Sequence, residues 1–194
     1  MLSLRPTVVS DNAFIRSLFA AALPLYSELM PESFAANLEN MDILTEKGLD
    51  FNATGLDGWI IETEAGPVGF AGIGPLNPRQ AYMAALYFLP TQRRRGFGSQ
   101  ALGRLEAHYQ NQGFGEILLL VHQRADWARN FYTREGYRLL AEDAMAMLAH
   151  AGERLLHLIE PDLVLMGKDL PSANAVVCED GIVSQAGDNT GAKG

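Results

Sequence analysis

The chain has a single cysteine, Cys178, in 194 residues. That excludes an internal disulfide framework and any cysteine-built zinc site, and with no histidine or basic cluster near it in sequence the thiol reads as incidental. No apolar run approaches the roughly 20 residues that cross a bilayer. The opening Met-Leu-Ser-Leu-Arg-Pro carries no secretory apolar region, so a cytoplasmic location with no membrane partner is expected. Positive charge is also scarce: 15 Lys and Arg stand against 23 Asp and Glu, a net charge of −8. This argues against a nucleic-acid partner, which needs a basic face, and favours approach of a cationic amine. Two histidines, His150 and His157, can share a helical face, but a zinc ion would need further ligands, so no metal is expected. What remains is 48% hydrophobic, enough for one domain with a core and a short extension.

Against the acidic background, Arg93, Arg94 and Arg95 stand together in the stretch 86–104. An apolar strand is stopped by Pro90, a basic turn follows, and Gly96 and Gly98 open a helix whose apolar side carries Ala101, Leu102 and Leu105. Such a turn leaves backbone N–H groups pointing outward at the positive end of a helix dipole, which makes an anion site from main chain. Glycines let a phosphate approach without an intervening side chain. The pattern is Arg93-x-x-Gly96-x-Gly98, which lacks the third glycine of the dinucleotide fingerprint and the Gly-Lys-Ser/Thr of a P-loop.

Downstream, 116–121 is a short, nearly all-apolar run that suits a strand buried on both faces. The segment 126–137 then reads as a helix, with Trp127 and Phe131, and Ala128 and Tyr132, one turn apart, and Gly136 as its stop. The two motifs in this order, Arg93-x-x-Gly96-x-Gly98 and Ala128-x-x-Phe131-Tyr132-x-x-x-Gly136-Tyr137, resemble the two signatures of the GNAT N-acetyltransferase superfamily.

That resemblance implies an α/β fold with a mixed, mostly antiparallel central sheet flanked by helices. It implies acetyl-CoA as cosubstrate and direct transfer of its acetyl group to a primary amine, on a small molecule or a peptide, without an acyl-enzyme. Carried over residue by residue, the pyrophosphate falls to the backbone of Arg93, Arg94, Arg95, Gly96, Phe97 and Gly98, with the Ser99 hydroxyl and the arginine side chains as further contacts. Phe88 and Leu89 fall where the family's strand offers main-chain groups to the pantetheine arm. Tyr132 falls where a tyrosine reaches the thiolate as general acid, a role open to a phenol with pKa near 10; as a plain core aromatic it would serve packing alone.

Two positions depart from the family. Ala125 stands where an asparagine often contacts the cofactor, and no carboxylate lies in 81–89, where many members carry a glutamate base. The base therefore stays open among a water chain ending on Tyr82, a carboxylate from Glu62 or Glu64, and His122, whose ordinary pKa of about 6.5 suits the task. The missing carboxylate also keeps open a non-catalytic acyl-CoA-binding or regulatory module.

Elsewhere, 2–9 reads as a strand and Asp11 as the N-cap of a helix bearing Phe14, Ile15, Leu18 and Phe19. Pro24 and Pro31 punctuate 25–47 into one or two shorter helices, the second starting near Ser33; Tyr26, Glu28, Glu32, Glu39 and Asp42 there are candidate substrate contacts or solvated surface. The runs 59–64 and 68–73 form a hairpin, 81–89 a third strand and 162–166 the last. The domain is expected over 1–170, with a helical insert at about 141–160, interrupted at Gly152, whose stripe Met145, Leu148, Leu155 and Ile159 reads as packing rather than a lid. A flexible tail is expected over 171–194, with a small hairpin at 176–183. Dimerisation is common in similar proteins, and no heptad or other interface signature is present, so a homodimer stays open.

Overall fold

A computed structural model describes residues 1–171 of the chain. Cys178, the segment expected as a flexible tail beyond Pro171, and the hairpin expected at 176–183 lie outside the described residues.

The elements follow in chain order as β1 (Ser3–Pro6), α1 (Asn12–Tyr26), α2 (Pro31–Glu46), β2 (Asp57–Thr63), β3 (Gly66–Pro75), β4 (Gln80–Phe88), α3 (Phe97–Asn111), β5 (Glu116–His122), α4 (Asp126–Arg134), β6 (Arg138–Ala141), α5 (Ala144–Ala151) and β7 (Leu163–Asp169). The seven strands form one sheet in the order β1-β2-β3-β4-β5-β7-β6, antiparallel throughout except between β4 and β5. The fold is thus the mixed, mostly antiparallel sheet flanked by helices that the resemblance implies.

Side-chain alternation along the strands gives the sheet two apolar faces. One face, with Ile61, Ala71, Ile73, Ala81, Met83, Leu119 and Val121, is covered by α3 and, at its rim, by α4. On the other, Ile60, Phe70 and Ala85 pack beneath α1 and α2, while Leu118 and Leu165 pack beneath α5. The Tyr109 hydroxyl fixes α3 to the sheet, donating to the Asp57 carboxylate at 2.7 Å and lying 3.1 Å from the Ile73 carbonyl.

The parallel pair is short. Only Gln80, Ala81 and Tyr82 pair with Glu116, Ile117 and Leu118, yet β4 runs on to Phe88 and β5 to His122. The strands part where β4 carries an extra residue: Met83 faces Ile73 and Ala85 faces Gly72, which leaves Ala84 unpaired. A bulge of this kind bends its strand and strengthens the local twist, here directing β4 away from β5. Ala84, in the middle of a central strand, is accordingly exposed.

Several boundaries differ from the sequence reading. Pro24 does not end its helix: α1 continues to Tyr26, the proline sitting in the last turn. Pro31 occupies the first turn of α2, where a missing N–H costs nothing, so α2 begins there rather than near Ser33. The region 141–160 is not one helix. It holds the end of edge strand β6, the two-turn α5 and a 3-10 turn at Glu153–Leu158, and Met145 is 77% exposed while Met147, Ala151 and Leu155 are buried. Gly152 is the expected interruption, ending α5, and of the stripe Leu155 is buried and Leu148 and Ile159 half-buried, so only Met145, in the first turn of α5, is misassigned.

Candidate functional site

The basic turn after β4 is built for main-chain donors. A 3-10 turn at Pro90–Gln92 leads to Arg94 at φ +60° and Gly96 at φ +77°, and Gly96 caps α3. Intrahelical bonding starts with the Gln100 N–H donating to the Gly96 carbonyl at 3.2 Å. The N–H groups of Phe97, Gly98 and Ser99 therefore have no partner within the helix and emerge at its positive end. At Gly98 a Cβ atom would lie 3.1 Å from the Phe131 ring, so any side chain here would crowd the packing of α4 against α3.

The side chains expected on the cosubstrate are largely engaged within the loop. Arg93 donates from Nε to the Phe88 carbonyl at 3.3 Å, bracing the end of β4. The Leu89 N–H donates to the Val68 carbonyl at 3.0 Å, so that donor is engaged, while the Phe88 carbonyl keeps a second lone pair. Arg95 donates to Gln92 at 2.7 Å and lies over the half-buried Phe97 ring at 5.5 Å. Arg94 is exposed. The exposed Ser99 hydroxyl donates to Glu135 at 2.5 Å, so a contact with phosphate would require it to turn away from that carboxylate. Glu135 thereby sets a carboxylate beside the start of α3.

At the gap between β4 and β5 the arrangement is aromatic. Tyr132, half-buried on α4, lies between Phe131 and Tyr137, with ring centroids 5.1 and 5.5 Å away. Tyr26 at the end of α1 meets Tyr87 of β4 edge-on at 6.3 Å and Trp127 of α4 at 5.9 Å. Burial pushes the Tyr132 phenol well above its ordinary pKa, with Tyr26 and Tyr82 adding to the effect. Tyr82 is raised by burial and then by the Glu160 carboxylate. Tyr87 is raised chiefly by burial; so is Tyr26, with hydrogen bonding to Trp127, the Arg93 charge and hydrogen bonding to Tyr87 acting against it. These phenols remain protonated at neutral pH and act as hydroxyl donors.

The candidate bases are scattered. His122, 3% exposed at the end of β5, accepts the Arg124 N–H on Nδ1 at 3.1 Å. Because a backbone N–H can only donate, the neutral ring carries its proton on Nε2 and offers no lone pair there. Glu62 is held by Arg5 at 3.1 Å beside the Arg5–Asp11 pair, on the β1–β2 edge. Glu64 meets the Met1 ammonium at 3.2 Å. The structure does not bring these two glutamates to the gap, since β2 lies two strands from β4. Ala125, at the start of α4, makes no side-chain cap. The sequence reading passed over Glu160, a half-buried carboxylate just ahead of β7. Its only signal was its place in an irregular stretch next to a strand.

Among the described residues no group of three or more His, Cys, Asp and Glu is placed to hold a metal ion, and no helix is long and apolar enough to cross a membrane.

Comparison with known proteins bears on the fold and the loop together. The model of the acetyltransferase (GNAT) family matches residues 20–137, which include β2 to β5, the basic turn, α3 and α4. No curated protein sequence matches the chain. Among solved structures, the chain is similar to a PaiA N-acetyltransferase from Thermoplasma acidophilum in complex with coenzyme A, at 14% identity and a TM-score of 0.66 over 87% of this chain and 99% of that one. It is similar to an acetyltransferase from Thermus thermophilus, at 19% identity and a TM-score of 0.60 over 88% of this chain and 97% of that one. A ribosomal-protein-alanine N-acetyltransferase from Brucella melitensis is similar at 16% identity and a TM-score of 0.56, over 87% of this chain and 99% of that one. At these identities the likeness is one of fold.

Proposed function

The chain belongs to the acetyltransferase (GNAT) family, and from that premise we propose that it transfers an acetyl group from acetyl-CoA to a primary amine of a small molecule or peptide, by direct attack. The observation that carries the reading is the parting of β4 from β5 beside a helix start whose first N–H groups have no helical partner. The residues present fit the cosubstrate. The N–H groups of Phe97, Gly98 and Ser99 hold the pyrophosphate, Gly98 keeps the approach clear, and the exposed Arg94 supplies charge. The edge of β4 at Phe88 and Leu89 lines the gap for the pantetheine arm, by contact more than by hydrogen bonding. Acetyl-CoA supplies an acyl group activated as a thioester.

The chain's own residues then have three tasks. Tyr132 holds a proton at its hydroxyl for the leaving sulfur, and burial keeps that hydroxyl protonated. The aromatic surroundings of the gap limit water around the amine. A base must take the ammonium proton, and β4 carries no carboxylate, with Tyr82 and Met83 in that stretch instead. Of the candidates, Tyr82 and His122 lie nearest the gap. The one is held protonated by burial and the other has its Nδ1 lone pair on the Arg124 N–H, while Glu62 and Glu64 would have to leave their partners.

The absence of a carboxylate from 81–89 favours a second reading, acyl-CoA binding without turnover. Calorimetry with acetyl-CoA on the wild type and Gly98→Glu tests the shared premise. Micromolar binding lost in the variant, with unchanged far-UV circular dichroism, is the expected result, because the new side chain puts bulk and negative charge among the pyrophosphate donors. A wild type that does not bind acetyl-CoA sinks both readings. Release of free thiol on adding amines separates the enzyme from the binding module.

A further inference from the structure

We propose that Glu160 is the carboxylate that takes the proton from the acceptor ammonium, replacing the base that β4 lacks. The inference rests on the acyltransferase reading above. Its ground is position. The Glu160 carbonyl accepts the Leu163 N–H at 3.3 Å, which ties the turn to the start of β7. Leu163 faces His122, the last residue of β5, so the turn lies at the end of β5 that has parted from β4. The two preceding residues, Leu158 and Ile159, pack into the apolar cluster that also holds Tyr82 and Leu120. The turn is thus folded onto the face of the sheet from which Tyr82 projects.

Tyr82 is the last residue of β4 to pair with β5 and marks the apex of the gap. The Glu160 charge reaches its phenol and adds to the effect of burial. Tyr82 is therefore held as a neutral hydroxyl and is a poor base, whereas the half-buried group near it is a carboxylate, the chemical class that serves as a general base. Other titratable groups around the gap are His122 from β5, Tyr132 from α4 and Tyr26 from α1; His157 and Asp162 are on Glu160's own segment, and the Gln123 side chain bonds the Asp162 carboxylate.

The step balances as follows. The ammonium gives one proton to the Glu160 carboxylate, leaving a neutral amine and a carboxylic acid. The amine nitrogen bonds to the thioester carbonyl carbon, and the carbon–sulfur bond breaks. Sulfur takes the Tyr132 hydroxyl proton, and the second proton lost by nitrogen restores Tyr132. Glu160 returns its proton to solvent.

The test compares wild type with Glu160→Gln, using acetyl-CoA with benzylamine and phenethylamine, which are ammonium ions at neutral pH, and with 4-methoxyaniline, which is neutral there. Thiol release, acetyl-CoA affinity and the melting temperature are read in parallel. The variant is expected to lose about 100-fold or more in kcat/KM on the two alkylamines. That loss should shrink as pH rises towards the amines' own ionisation, while arylamine turnover, acetyl-CoA affinity and melting temperature stay as in the wild type. A merely structural role would depress all the amines alike. Alkylamine turnover in the variant within about threefold of an active wild type overturns the assignment and leaves the acyltransferase reading standing. A wild type that binds acetyl-CoA and releases no thiol with any of the amines overturns both.

Discussion

Gly98 and Glu135 act on the start of α3 in opposite senses. Gly98 lets the Phe131 ring close to within 3.1 Å of a would-be Cβ and keeps the donors approachable. Glu135 places a carboxylate there and accepts the Ser99 hydroxyl. A negative charge near a helix start is worth about 0.3–1 kcal/mol at surface sites and low ionic strength. An arriving anion must displace it, so Glu135→Gln is expected to tighten acetyl-CoA binding by up to about fivefold at low ionic strength, less in high salt. Unchanged or weaker affinity by calorimetry would count against that competition. Tyr132→Phe removes a hydroxyl and little volume; thiol release with an accepted amine should fall about 100-fold at unchanged acetyl-CoA affinity, and a full rate would remove Tyr132 from the proton path. At this scale the sequence carried Gly96, Gly98 and Tyr132, because spacing along one loop and one helix is local. It could not show that Ser99 bonds Glu135, that Arg93 braces Phe88, or that the Glu160 charge reaches Tyr82, since none of these pairs is marked by a motif or a helical or strand period.

Among the elements, the strands β2 to β5 were legible because they are long or nearly all apolar, and the helices α3 and α4 because glycines open the one and stop the other. The strand β6 was not. It has four residues at the sheet edge, two of them exposed leucine and arginine, so neither alternation nor an apolar run marks it. The following α5 is only eight residues long, and such a helix depends on its cap and its packing more than on propensity. The Asp143 carboxylate accepts the Ala146 N–H at 2.9 Å and supplies that cap. Asp143→Ala is expected to cost about 1 kcal/mol, lowering the melting temperature by about 2–4 °C in a chain of this size. Calorimetric melting reads this directly; an unshifted transition would mean that burial of Met147 and Ala151 alone holds α5 in place.

For the whole molecule, all six tyrosines have their phenols raised, in each case chiefly by burial. The folded chain thus keeps protons that the unfolded chain releases above about pH 10. Stability is complete below that point and falls as pH rises beyond it, because the unfolded state then binds fewer protons. Phenolate absorbance should therefore appear in one steep alkaline step coincident with the loss of circular dichroism. A broad titration near the ordinary phenol range, with the fold intact, would contradict it.

The three-residue ladder between β4 and β5 also divides the molecule in time. The strands β1 to β4 come from one unbroken stretch of chain and β5 to β7 from the next, and few hydrogen bonds join the two half-sheets across the gap. Each half can open without first breaking the ladders of the other, so the amides should exchange with solvent as two cooperative groups rather than one. A ligand lying in the gap touches both halves, and its binding would merge the two groups into a single, slower one.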